Sequence, residues 1–141
     1  MKHLNKIILC ALIVSLVFSL FGCARNSMLA YYRDEQNYSD ISGELTFINF
    51  TSEDALYLGF DQITPKTSDT SFKLVGKNFE IANEYDLKEL LVIGKTVRFV
   101  TAPEYFGDGY VMPIVGLTVD GTVILDKETG IKNWNDWLAA H

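Results

Sequence analysis

Histidine and cysteine are nearly absent from this sequence. The histidines are His3 and His141 and the cysteines are Cys10 and Cys23, so residues 24–140 contain neither type. A Ser-His-Asp triad, a Cys-His pair and the common zinc sites each require such side chains. The sequence also lacks a Walker loop and a Rossmann glycine fingerprint. These chemistries, and an intrachain disulfide behind Cys23, are therefore excluded for that region.

Positive charge is also scarce. The chain has 12 lysine and arginine residues against 18 aspartate and glutamate residues, a formal net charge of −6. Loss of residues 1–22, which contain Lys2 and Lys6, would leave 10 basic against 18 acidic residues, a net charge of −8. Because this charge repels phosphate backbones, we expect no nucleic acid partner.

Residues 1–22 have the layout of an export signal. Lys2 and Lys6 form a short basic start, and residues 7–21 form an apolar run that only two serines interrupt. A permanent membrane span needs about 20 apolar residues, so this run is short for one. The layout predicts a cleaved signal peptide, with an uncleaved N-terminal anchor as the alternative.

The cleavage region reads Leu20-Phe21-Gly22-Cys23. It resembles the bacterial lipobox, in which an aliphatic, a variable and a small residue precede a lipidated cysteine. The resemblance covers the first 23 residues only. It implies cleavage before Cys23, fatty acylation there, and attachment to the outer face of a plasma membrane or to an outer membrane. Two or three acyl chains anchor stably, because each buried methylene contributes about 0.8 kcal/mol.

Behind the signal, we expect a tether and one domain. Residues 23–41 predict a lipidated polar tether, although Tyr31, Tyr32 and Tyr38 could dock onto the domain. Residues 42–141 are long enough for a single domain with one hydrophobic core.

Alternating apolar residues predict that the domain is rich in strands. In 55–62, Leu56, Leu58 and Phe60 share one face while Tyr57 points outward. Gly76-Lys77-Asn78 and Asp120-Gly121 have the chemistry of hairpin turns. The predicted strands span residues 42–50, 55–62, 72–75, 79–82, 95–101, 110–119 and 122–126.

Two helices are predicted between and after these strands. Asn83 is the expected N-cap of the first helix, which covers 86–92 and ends before Gly94. The second helix is the last element of the chain. The core-facing residues would be Leu87, Leu90 and Leu91 in the first helix and Ile131, Trp134 and Leu138 in the second.

This order of elements, with a helix between the third and fourth strands, resembles the OB-fold, a five-stranded barrel. The segment Ile93-Gly94-Lys95-Thr96-Val97-Arg98-Phe99 resembles the entry to the fourth strand of that fold. The resemblance implies a mainly β, OB-fold-like barrel with one inserted helix, followed here by a short C-terminal helix. A small α+β roll is the alternative fold.

One loop combines three aromatic residues with two glycines, at residues 103–110. In an OB-like barrel, such a loop can approach the second strand and form a shallow aromatic surface that stacks on a sugar ring or holds an apolar peptide side chain. The alternative is that these rings pack onto the barrel mouth. The candidate ligand-binding residues are Tyr57, Tyr105, Phe106, Asp108 and Tyr110.

The sequence favours a lipid-anchored extracytoplasmic protein whose domain is a non-catalytic binding or adaptor module for an envelope protein, peptide or glycan. No cofactor and no metal site are expected. The alternative is a carboxylate-based hydrolase of cell-wall glycan, which would pair Glu104 with Asp108 or Glu53 with Asp54. These acids fall at predicted turns, where carboxylates are usually only solvated.

Overall fold

The computed structural model describes residues 2–51, 54–67, 71–105 and 112–141, and only the backbone of residues 2–5, 7 and 20. Six strands and four α-helices make up this part of the chain, together with a single 3₁₀ turn at Glu35–Asn37. The elements are α1 (Lys2–Arg33), β1 (Ser39–Thr51), β2 (Ala55–Thr64), β3 (Ser71–Val75), α2 (Gly76–Asn83), α3 (Leu87–Leu90), β4 (Thr96–Thr101), β5 (Met112–Val119), β6 (Thr122–Leu125) and α4 (Lys127–Ala140).

The strands form a closed barrel of five strands with β6 as an addition. The order in the sheet is β3-β2-β1-β4-β5-β6, and β3 also pairs with β5 in parallel, through Phe72 opposite Met112 and Lys73 opposite Pro113. All other neighbours are antiparallel. The predicted OB-fold-like barrel with a C-terminal helix is therefore confirmed.

Aromatic side chains fill the middle of the barrel. Phe60 and Phe99 stack with ring centroids 4.3 Å apart, and Phe72 meets Phe99 edge to face at 4.7 Å. Leu56 and Leu58 are fully buried beside them. The predicted inward face of the second strand is thus confirmed, because alternate residues of a strand point to one side.

The connection between β3 and β4 differs from the prediction. Residues 79–82 were expected to be a strand after a turn at 76–78, but Gly76–Asn83 form the helix α2. Gly76 begins it with φ +54°, a conformation that favours glycine. Phe79 and Ala82, three residues apart, are both buried on one helical face. The prediction of a single inserted helix is wrong, because two short helices occupy this connection.

The second of these helices starts later than expected. Its N-cap is Asp86, with φ +43°, and not Asn83, because the chain breaks from α2 at that left-handed residue. Leu87 and Leu91 are buried and Leu90 is half-buried against the barrel core, while Lys88 is exposed. The predicted apolar face of this helix is confirmed.

The last two predicted elements are confirmed. Asp120 and Gly121 have φ values of +51° and +78°, as the two-residue hairpin turn between β5 and β6 requires. In α4, Ile131, Trp134 and Leu138 are buried. The helix therefore lies on the barrel with the expected face.

The helix α4 lies unusually close to β5. A Cβ atom added to Gly130 would lie 1.7 Å from the carbonyl oxygen of Val115, so only glycine fits there. Asp126 caps the helix, because its Oδ1 accepts a hydrogen bond from the Thr129 N–H at 3.0 Å. Hydrogen bonding from the Thr129 side chain, and next from the Thr129 N–H, lowers the pKa of the Asp126 carboxyl.

Residues 23–41, predicted to be a polar tether, are ordered in the structure. The helix α1 continues through Arg33, and β1 already begins at Ser39. Met28, Tyr32 and Tyr38 are buried against the barrel and α4. The packed domain therefore begins near Met28, because the apolar area of these rings outweighs the polar character of the segment.

Candidate interaction surface

A second apolar cluster, which we call the outer cluster, lies outside the barrel core and joins α1, α4 and the barrel wall. Tyr57 and Tyr105 are half-buried against it. Its buried members are Met28, Tyr32, Tyr38, Ala55, Val75, Ala102, Val115, Ile131, Trp134 and Leu138.

Tyr32 is the centre of this cluster and has no exposed surface. Its ring meets that of Trp134 edge to face at 5.6 Å. Its hydroxyl oxygen accepts the Tyr105 N–H at 3.1 Å. Its carbonyl oxygen accepts bonds from the Tyr38 hydroxyl at 2.8 Å and from Asn135 Nδ2 at 2.9 Å. The last turn of α1 is therefore held by both apolar and polar contacts.

The buried Tyr38 hydroxyl must act as a donor in this arrangement. Burial, together with the nearby Tyr31, raises its pKa well above the ordinary range. The hydroxyl consequently stays protonated and donates to the Tyr32 carbonyl.

Three aromatic rings stack along the second half of α4. The rings of Trp134 and Trp137 are 5.2 Å apart and nearly parallel, and those of Trp137 and His141 are 4.3 Å apart. Lys73 Nζ lies 5.0 Å from the centre of the Trp137 ring. Burial lowers the pKa of Lys73, and the nearby Asp54 opposes that shift. This stack extends from the buried Trp134 to the exposed His141.

The predicted ligand-binding residues do not form an open surface where the structure describes them. Tyr57 lies beside Lys73 of β3 and packs on the outer cluster. Tyr105 packs on Tyr31, with ring centroids 5.4 Å apart. In the structure Tyr105 packs on α1, and its role in ligand binding stays a prediction. The other three predicted members, Phe106, Asp108 and Tyr110, lie outside the described residues.

The predicted lipidation residue Cys23 is exposed on α1. Residues 8–33 of this helix are long and apolar enough to cross a membrane, with a mean hydropathy of 2.2 over the most apolar window and none of that window buried in the protein. A signal sequence has the same properties. Phe18 and Phe21 are the most exposed of its large side chains, at 73% and 72%.

The structure describes one carboxylate of each pair considered for hydrolysis. Glu104 and Asp54 are both exposed, and Asp108 and Glu53, their expected partners, lie outside the described part. Within residues 2–51, 54–67, 71–105 and 112–141, no group of three or more His, Cys, Asp or Glu residues is placed to hold a metal ion.

A shallow groove of about 290 Å³ crosses the outer faces of β4 and β5, next to β6 and the start of α4. Arg98 and Asp40 form a two-point ion pair at its edge, with Arg98 Nε donating to Asp40 Oδ1 at 2.8 Å. This pair raises the pKa of Arg98. Val123, which is 56% exposed, also lines the groove.

Comparisons of the chain with protein-family models, with curated proteins and with solved structures give no match.

The residues that sequence reasoning missed are those that join α1 to α4. Asn135 carries no signal in the sequence, since its bond to Tyr32 spans 103 positions. The three tyrosines at positions 31, 32 and 38 were a signal for docking, and Tyr32 and Tyr38 are indeed buried.

Proposed function

We propose that the protein is a lipoprotein of a bacterial envelope, anchored outside the cytoplasm by lipid on Cys23, and that its barrel is a non-catalytic binding or adaptor domain. The observation that supports the anchor is the arrangement of α1. An apolar stretch whose described side chains are exposed leads to the lipobox-like segment, and the same helix reaches the outer cluster at Met28, five residues after Cys23.

The exposed side chains of α1 need an apolar environment. Most of its large apolar residues between Ile8 and Phe21 are exposed by 40% or more. Each square ångström removed from water stabilises by roughly 25 cal/mol, so a bilayer is the favourable surrounding for this stretch. In the exported precursor, this segment inserts first and is then removed by cleavage before Cys23, as the lipobox resemblance implies.

The binding role rests on the surface of the barrel and on the charge of the chain. The groove is open. It offers charged contacts through Arg98 and Asp40 and an apolar contact through Val123. A partner from the envelope, such as a protein, peptide or glycan, suits this mixed surface. With a net charge of −6, the chain is unsuited to nucleic acid.

The anchor can be tested by replacing Cys23 with serine in the full chain. Cys23→Ser should abolish incorporation of labelled fatty acid, and the protein should leave the membrane fraction or accumulate as precursor. Cys10→Ser is the matched control, because Cys10 lies on the same helix within the removed segment. A Cys23→Ser protein that is still cleaved, acylated and membrane-bound contradicts the proposal.

The non-catalytic role has a separate test. The full-length protein should leave peptidoglycan fragments intact over hours, while a tagged form is cross-linked to a specific envelope component in cells. Fragment hydrolysis that is lost in Glu104→Gln but kept in Glu84→Gln, an exposed acid on another surface, would instead support the glycan hydrolase.

A further inference from the structure

The last turns of α1 and α4 run antiparallel, and two hydrogen bonds define their register. Asn135 Nδ2 donates to the Tyr32 carbonyl at 2.9 Å, and Arg25 Nη2 donates to the Ala139 carbonyl at 3.2 Å. Moving back along α1 therefore corresponds to moving forward along α4. The last turn of α4 therefore lies beside α1 near Arg25, two residues after Cys23.

Cys23 and the end of α4 lie at similar levels along the two helices. Counted from the bond between Asn135 and Tyr32, Cys23 lies nine residues back along α1 and His141 lies six residues forward along the chain. Because a residue adds about 1.5 Å along a helix, the lipid on Cys23 and the residues around His141 would lie within about one helical turn of the same height above a membrane. The opposite end of α4, at Lys127, would lie about 20 Å farther away.

The chemistry of this end suits a lipid headgroup layer. Trp137 is half-buried, with its ring between those of Trp134 and His141, and His141 is exposed. Tryptophan is favoured at the headgroup level, because its ring is apolar while its N–H is polar. Arg25 and Lys73 add positive charge on either side of the stack. Cations are attracted to a surface of anionic lipid.

The acidic neighbours at this end lie near lysines. Asp136 is bound to Lys132, with Nζ and Oδ2 2.6 Å apart, and this bond lowers the pKa of the Asp136 carboxyl. Asp54 acts on Lys73, whose Nζ still lies over the Trp137 ring. Arg25, two residues after Cys23, donates to the last turn of α4.

We propose that the last turn of α4, with Trp137, Ala139 and His141, rests against the phospholipid headgroups of the membrane that holds the Cys23 lipid. This proposal rests on the proposed anchor. It makes the residues after Cys23 a rigid helical stem, so that the barrel has a fixed orientation with the groove near Lys127 on the side away from the bilayer. A membrane is the partner proposed for this turn, because the apolar part of α1 lies directly before Cys23.

The cysteine content of the chain makes a site-specific test possible. After cleavage, Cys23 is the only cysteine and its thiol carries lipid, so one introduced cysteine is the only free thiol. His141→Cys and Lys127→Cys, both at exposed positions, are labelled with the same fluorophore in the full lipidated protein. The proteins are then placed in vesicles of phosphatidylglycerol and phosphatidylcholine with bromine atoms near the headgroups.

The label at position 141 should be quenched several-fold more strongly than the label at 127. Trp137→Phe, without a label, should lose most of the bromine quenching of intrinsic fluorescence, because Trp134 is buried in the outer cluster. Equal quenching at 141 and 127 in protein that floats with the vesicles overturns the proposed orientation while the anchor stands. Protein that carries no lipid by mass spectrometry and does not float contradicts the anchor, and the orientation fails with it.

Discussion

Asn135 donates one hydrogen bond to the carbonyl of Tyr32 and another to the carbonyl of Ile131 in its own helix, both at 2.9 Å. A single amide group therefore joins the last turn of α1 to α4. The Tyr32 carbonyl also accepts a hydrogen bond from the Tyr38 hydroxyl. Loss of the Asn135 side chain would remove a half-buried hydrogen bond between the two helices.

Asn135→Ala should lower the free energy of unfolding by about 1 kcal/mol, since a typical intramolecular hydrogen bond contributes about that much net. Urea denaturation of the full chain in detergent measures it. Lys132→Ala, which removes one exposed ion pair on the same helix, should leave the midpoint almost unchanged. Equal midpoints for Asn135→Ala and the wild type would mean that this bond does not hold α1.

Gly130→Ala should be among the most harmful single substitutions in the chain. Its new methyl group would meet the Val115 carbonyl oxygen at 1.7 Å, and this neighbour is backbone and cannot rotate away. Overpacking of this kind typically costs 1–3 kcal/mol and can cost more. Thermal unfolding followed by circular dichroism should show a drop of at least several degrees.

The matched control for Gly130→Ala is Glu128→Ala, an exposed change in the first turn of α4. It should lower the midpoint far less, because it creates no contact with the barrel. A Gly130→Ala protein as stable as this control would show that α4 can move away from β5 at little cost.

The helix α3 offers a test of its buried face. Leu87→Ala should cost about 2–5 kcal/mol, because Leu87 is 1% exposed and leaves a cavity next to the barrel core. Leu90→Ala should cost less, since Leu90 is only half-buried. Lys88→Ala should be nearly silent in the same urea titration. Similar losses for Leu87 and Lys88 would contradict the assigned face.

The sequence predicted the barrel better than its attachments, for a physical reason. Alternation of Leu56, Leu58 and Phe60 is a local pattern that survives in the folded strand. The helix Gly76–Asn83 depends on the burial of Phe79 and Ala82 against the rest of the domain. The local turn pattern at residues 76–78 does not indicate this packing. Tertiary packing decides such short segments.

The candidate site was predictable only in part for the same reason. The sequence shows that Tyr57 and Tyr105 are aromatic. It does not show that Tyr105 contacts α1, which lies more than 70 residues away in the chain. No local sequence pattern indicates that Asn135 links the two helices. Contacts at such separations follow from the fold and not from local pattern.

Tyr105→Ala distinguishes packing from binding in the aromatic loop. The Tyr105 ring lies 5.4 Å from that of Tyr31, and its N–H donates to the Tyr32 hydroxyl. We expect the melting temperature to fall by several degrees, since a half-buried ring contributes about 1–2 kcal/mol. Tyr105→Phe should retain most of the stability. An unchanged melting temperature for Tyr105→Ala would favour a ligand-binding ring.

The N-cap of α4 should make stability depend on pH in the acid range. Two hydrogen bonds from Thr129 lower the pKa of Asp126 below the unfolded value of about 4. The bond from the Thr129 side chain has the larger effect, and the bond from its N–H has the next largest. A lowered folded pKa means that the stabilisation is present above the unfolded pKa and is lost as the pH falls through the folded one. Stability should therefore decline as the pH falls below about 4, in part through this group.

Asp126→Asn isolates that contribution, because asparagine is an equally good N-cap but does not titrate. The variant should match the wild type closely at pH 7 and should lose less stability on acidification, as urea midpoints at pH 7, 5, 4 and 3 would show. Asp126→Ala should lose about 1 kcal/mol at pH 7, where the ionised cap is present, and the loss should shrink at pH 3. If Asp126→Asn and the wild type lose stability in parallel below pH 4, other carboxylates control the acid transition, and the cap at Asp126 does not.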